Sequence, residues 1–153
     1  MGAQMVYKEA FKAVGVKWVG TFEQAARGEI KNFHHEFLKR KNEVKHAVDA
    51  ENIIGLSYHI TEKGFTYYLA LEVEDTQSIP DGMELITVSA HTFASLGYKG
   101  SAVHEAYTSL YTWVKQNGYT LKHGDLEHLE EYPGSFDPLT DVPELKIHIP
   151  IMI

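Results

Sequence analysis

A chain of 153 residues with no cysteine is one domain, or two small halves sharing a core, and neither disulfide nor thiolate chemistry is open to it. Its formal charge of −7 argues against a nucleic-acid surface, and the basic run Lys39-Arg40-Lys41 reads as the solvated end of a helix. Aromatic residues make up 12% of the chain, with nine Tyr and seven Phe, enough to wall a pocket.

The first predicted strand is Phe11 to Val19, rich in valine. Thr21-Phe22-Glu23-Gln24 has the pattern of a capping box, and helix follows from Glu29 to Val44, with Ile30, Phe33, Phe37 and Val44 on one face. Asn52 to Thr61 and Phe65 to Glu74 are two β-rich runs around Glu62-Lys63-Gly64, a hairpin. Ile79-Pro80-Asp81-Gly82 is a turn near the middle of the chain. The same order then returns. Met83 to Leu96 reads as a strand, Ser101 as the cap of a helix running to Asn117, and Gly118 as its stop. Tyr119 to Tyr132 contains another strand, and Glu144 to Ile153 closes the chain, with Pro150 suggesting an edge or a bulge.

The expected fold is therefore α+β: β-α-β-β units, duplicated about a pseudo-twofold axis, in halves of about 5–79 and 83–153. Each unit is expected to form one antiparallel sheet carrying one main helix, with a ligand cleft between the two sheets.

The stretch that carries chemistry is Leu126-Glu127-His128-Leu129-Glu130-Glu131-Tyr132. Strand alternation puts Leu126, His128, Glu130 and Tyr132 on one face and Glu127, Leu129 and Glu131 on the other. A carboxylate on an inward face is costly to bury unless a cation or hydrogen-bond donors meet it. Glu130 is thus expected in an aromatic pocket that receives a small cationic or polar aromatic ligand, with Tyr132 beside it. The nine histidines lack metal-ligand spacing, His34-His35-Glu36 included, so no metal is expected. No phosphate loop or nucleophile elbow is present, and no cofactor is expected. The chain lacks an apolar run of membrane-span length, and Met1-Gly2-Ala3-Gln4 has no signal-peptide pattern, so a cytoplasmic protein that does not engage the membrane is expected.

Several segments together resemble the GyrI-like, or AraC-type effector-binding, domain family. They are Phe11 to Val16, Ile30 to Phe37, Phe65 to Val73, Ile79 to Met83, Tyr107 to Trp113 with Gly118-Tyr119, Glu130-Glu131-Tyr132, and Ile147 to Ile151. The resemblance runs from about Phe11 to the end of the chain. It implies a duplicated α/β fold in which a buried glutamate, falling on Glu130, and surrounding aromatics hold lipophilic, often cationic, small molecules. By the same resemblance Trp113 and Tyr67 occupy aromatic ligand positions. Tyr107 and Tyr111 share a helix face and join them. Tyr67 and Tyr68 point opposite ways, so only one of them faces the cleft. Two departures from the family pattern stand out: His34 where a tryptophan is common, which weakens the preference for a purely hydrophobic cation, and Ala70 where a glycine is common, which would narrow the cleft.

The expected role is a stand-alone effector-binding protein, a sensor or sequestering module for a lipophilic, aromatic or cationic compound. Nothing before Phe11 has room for a helix-turn-helix, so regulation of transcription would need a partner regulator. The resemblance implies two rivals. One is a hydrolase of reactive electrophilic aromatics, with Glu130 and Tyr132 as acid and base. The other is a protein-interaction role such as inhibition of DNA gyrase, with which the acidic charge is compatible.

Overall fold

The computed structural model describes residues 2–74 and 78–152. Asp75 to Gln77, in the first expected half, and Ile153, expected to end the closing strand, lie outside the described residues.

A short strand, β1 (Gln4–Lys8), precedes the first predicted one and was not foreseen from the sequence. Strand β2 spans Phe11–Thr21 and ends at a capping box: the Thr21 hydroxyl accepts from the Gln24 N–H at 3.0 Å, and the Gln24 side chain accepts from the Thr21 N–H at 2.8 Å. Helix α1 (Phe22–Ala26) is short. Gly28, at φ 98°, adopts a left-handed conformation that glycine reaches without strain, and it separates α1 from α2 (Glu29–Arg40). The hairpin follows as β3 (Asn52–Tyr58) and β4 (Gly64–Val73).

The run Met83 to Leu96, expected as one strand, breaks at Ser89-Ala90 into β5 (Glu84–Val88) and β6 (His91–Lys99), which pair with different neighbours. Helix α3 (Val103–Gln116) starts after Ala102, whose N–H donates to the Tyr98 hydroxyl at 2.9 Å, so Ser101 does not cap it. Gly118, at φ 75°, ends it as expected. The chain closes with β7 (Thr120–Leu121), β8 (Leu126–Pro133) and β9 (Glu144–Met152).

The α+β class holds, with a large antiparallel sheet. The described strands do not form two separate sheets, however. They join in one, in the order β1-β6-β9-β8-β3-β4-β2-β5, with β7 beside β9. The join is β3 against β8, where Ile53 to Ser57 pair with Tyr132 to His128. Two strands that would have been exposed edges satisfy each other's backbone groups there. The outermost strands also cross over: β1 sits on the arm of β6, and β5 on the arm of β2. Pro150 lies on β9, which has neighbours on both sides, but at the gap where its partner changes from β8 to β7.

Both β1–β2 and β5–β6 are joined by two residues, Glu9-Ala10 and Ser89-Ala90. Such a link reaches only about 10 Å. Yet it connects opposite arms of the sheet, so the sheet must curl back on itself. Inside the curl Ala13, Ile54, Leu56, Ala70 and Ile86 pack with Phe93 and Leu129 from the other arm. A polar group closes the same inner side. Glu131 meets His148 at 2.5 Å, accepts from Asn52 at 3.0 Å and lies 3.5 Å from Lys8. On the outer side α2 covers a second apolar cluster around Phe37 and Leu69, and α3 covers a third around Leu110 and Ile147. The β3–β8 seam runs between the two helices, and its outer face is left for the site.

Candidate functional site

The seam supplies the floor. Glu130 sits opposite Gly55 in the β3–β8 register. Its Oε1 accepts from the hydroxyls of Tyr67 at 2.9 Å and Tyr132 at 2.8 Å, and its Oε2 accepts from Tyr107 at 2.5 Å. Three phenols from β4, β8 and α3 thus converge on one carboxylate. Three O–H donors suit an ionised carboxylate, which has about four acceptor positions and no proton of its own to place. The phenols in turn stay protonated. Burial, and then the nearby Glu130 charge, push the hydroxyls of Tyr67, Tyr107 and Tyr132 well above the ordinary tyrosine value.

Above this floor is a cavity of about 460 Å³, the size of small-molecule sites in general. Phe22, Ile30, Ile60 and Phe65 form its apolar side, and His104, Tyr107, Thr108 and Tyr111 from α3 form the other. Those four α3 residues are spaced for one helical face, while Ala106, Leu110 and Val114 turn toward the sheet. Ser57, Tyr67, His128, Glu130 and Tyr132 rise from the strands. Among the described residues, none that lines the cavity is Lys or Arg. Among the described residues, the Glu130 charge is therefore met by hydroxyls alone.

Of the residues singled out from the sequence, Glu130, Tyr132, Tyr67, Tyr107 and Tyr111 are brought together around this cavity. Tyr67 is the one of its pair that faces the site; Tyr68 packs edge-on against Tyr58, on the inner side of the sheet. Trp113 is not among the lining residues and instead packs on Tyr119, ring centres 5.6 Å apart. At 100° per residue it lies roughly 120–160° around α3 from Tyr107 and Tyr111, too far to share their face. His34 also stays outside the lining. It is 3% exposed and stands edge-on to Tyr132 at 4.9 Å and to Phe136 at 5.5 Å, backing the Tyr132 ring. Burial lowers its pKa to about 4, against a smaller opposing pull from Asp137.

Two further expectations give way to the geometry. Leu126 does not share a face with His128. The register slips by one between Ser57 and Tyr58, and this bulge turns Leu126 inward to pack with Leu129. Ala70 points into the curl and not toward the cavity, so its methyl does not narrow the site. It fits there because Gly15 opposite has no side chain; a Cβ at Gly15 would come within 2.6 Å of the Ala70 Cβ.

The sequence reading missed Gly55, Ser57, His104 and His128. Gly55 had a signal, a glycine inside a β-rich run, which marks close approach. A Cβ there would stand 2.4 Å from the Tyr67 hydroxyl and 3.3 Å from Glu130 Oε1. Strand alternation places His128 on the cavity face but by itself assigns it no role.

Residues 1–153 match the family described as the GyrI-like small molecule binding domain. The chain belongs to that family. This GyrI-like domain is 28% identical to the transcriptional regulator BrlR of Pseudomonas aeruginosa over 99% of its own length. It spans 56% of BrlR, so the curated relative is nearly twice as long. The fold is shared with the structure of SAV2435 bound to tetraphenylphosphonium, at TM-score 0.72 and 17% identity, covering 99% of this chain and 94% of that one. It is shared too with EcmrR in its DNA complex, at TM-score 0.68 and 16% identity, covering 98% of this chain and 57% of that one. Among the described residues of the GyrI-like domain, no helix is long and apolar enough to cross a membrane.

Proposed function

We propose that this GyrI-like domain is an effector-binding module for small aromatic cations, and that Glu130 is the counter-charge. One observation carries the reading: a carboxylate held by three phenols on the floor of an aromatic cavity that, among the described residues, contains no lysine or arginine. A charge solvated only by hydroxyls still favours a cation, and each ring face adds about 0.5–2 kcal/mol of cation–π attraction, depending on how dry it is. SAV2435 with its tetraphenylphosphonium supports the same chemistry by likeness of fold. Because three acceptor positions on Glu130 are already filled, it has little left with which to take a proton from a bound water, which favours binding over hydrolysis.

The domain works as one unit from 1 to 153, its two halves meeting at the β3–β8 seam below the ligand. By analogy with the transcriptional regulator BrlR and with EcmrR in its DNA complex, binding is read out through a DNA-binding partner or segment in the cytoplasm. The test is calorimetric titration with tetraphenylphosphonium and with a neutral aromatic of the same size. The reading predicts saturable one-to-one binding of the cation and at least tenfold weaker binding of the neutral compound. Equal affinities would contradict it.

A further inference from the structure

The cavity has a second polar end that Glu130 does not use. His128 lies two residues before Glu130 on β8, directly across the ladder from Ser57. Its Nε2 meets the Tyr111 hydroxyl at 2.6 Å. Burial raises the Tyr111 pKa and lowers that of His128, the latter against a smaller opposing pull from Glu130. With both groups neutral, a Tyr111 hydroxyl that donates to Nε2 leaves the imidazole proton on Nδ1. Tyr107 lies against the same ring, centres 4.7 Å apart, and fixes its tilt.

Neither His128 Nδ1 nor Ser57 Oγ has a hydrogen-bond partner among the described side chains, and neither is fully enclosed, since His34 Nε2 alone is a buried side-chain atom left without a partner there. Both residues line the cavity. Two open donors thus stand on facing strands, Cβ atoms about 5 Å apart, and about 7 Å along β8 from the carboxylate.

We propose that Ser57 and His128 form a subsite for a hydrogen-bond acceptor, so that the preferred ligand is an aromatic cation carrying a carbonyl, amide or ether oxygen about 7 Å from its charge. This rests on the cation reading above and extends it: Glu130 selects the charge, and His128 with Ser57 selects among cations. An apolar cation leaves both donors dry and unpaired, which costs affinity.

The test uses two phosphonium probes of equal size, (4-methylpentyl)triphenylphosphonium and triphenylphosphonium with a terminal amide on a three-carbon arm. On the wild-type chain the amide probe should bind about tenfold more tightly. His128→Phe should bring the two probes within about twofold of each other. His128→Asn, which restores a donor near the Nδ1 position, should recover part of the preference, and Ser57→Ala should reduce it. Equal affinity for both probes on the wild type, or an unchanged preference in His128→Phe and Ser57→Ala, would overturn the subsite. Should His128→Phe fail to fold, Ser57→Ala and His128→Asn decide the question alone. Glu130→Gln separates the two levels, because it should weaken both probes by the same factor. If it weakens neither, the cation reading fails whatever the probes' ratio.

Discussion

Gly55 and Glu130 face each other across the β3–β8 seam, and the missing side chain at 55 is the space through which Tyr67 reaches the carboxylate. Gly55→Ala would place a Cβ 2.4 Å from the Tyr67 hydroxyl. That contact forces the phenol off Glu130, which then loses one of its three donors. The expected result is a loss of about 1–3 kcal/mol in urea unfolding together with weaker binding of tetraphenylphosphonium. A variant as stable and as competent as the wild type would show that the close approach is incidental.

Tyr107 and Trp113 sit six residues apart on the same helix but should behave oppositely. Tyr107 donates to Glu130 at 2.5 Å, whereas Trp113 packs on Tyr119 away from the cavity. Tyr107→Phe should therefore weaken cation binding several-fold, as removal of a hydrogen bond to a charged group does. Trp113→Phe should leave affinity within about twofold while lowering the melting temperature. The reverse pattern would mean that α3 presents a different face to the ligand.

These two helix positions also show what the sequence could and could not convey. The order of elements, the capping box at Thr21, the hairpin and the position of Glu130 and Tyr132 on one strand face follow from local patterns that the fold respects. Trp113 was assigned by resemblance, and the 3.6-residue period was enough to set it apart from Tyr107 and Tyr111. The single sheet was not legible, because pairing of β3 with β8 joins segments about 75 residues apart and leaves no local signature. Nor was the split at Ser89-Ala90, since a continuous β-rich run does not say that its two ends pair with different arms. Leu126 departs from alternation for a third reason: a bulge resets it, and none of Leu126, Glu127 and His128 is a glycine that would mark the bulge.

Acid should destabilise the fold in two steps that different residues control. His34 is buried neutral, with its pKa lowered to about 4 from an ordinary 6.5. The unfolded chain therefore takes up a proton that the folded chain refuses, and stability falls as pH drops from about 6.5 to 4, by on the order of 3 kcal/mol. Glu131 behaves at lower pH. Burial pushes its carboxyl up, but His148, Asn52 and Lys8 together outweigh this and hold it at about 2. Its contribution is present above the ordinary carboxyl range and is lost as pH falls from about 4.5 toward 2. Urea unfolding across pH should show the first step flattened in His34→Leu and the second in Glu131→Gln. A His34→Leu profile parallel to the wild type would remove His34 as the cause.

The central claim is that the Glu130 charge holds the ligand. Glu130→Gln keeps the size of the side chain and leaves an amide oxygen for the phenols to donate to, so the cavity should survive while its charge does not. Calorimetry with tetraphenylphosphonium on the wild type and on Glu130→Gln tests this most directly. The account predicts saturable binding to the wild type and at least a tenfold rise in Kd for the variant. Equal Kd values for the two would contradict it.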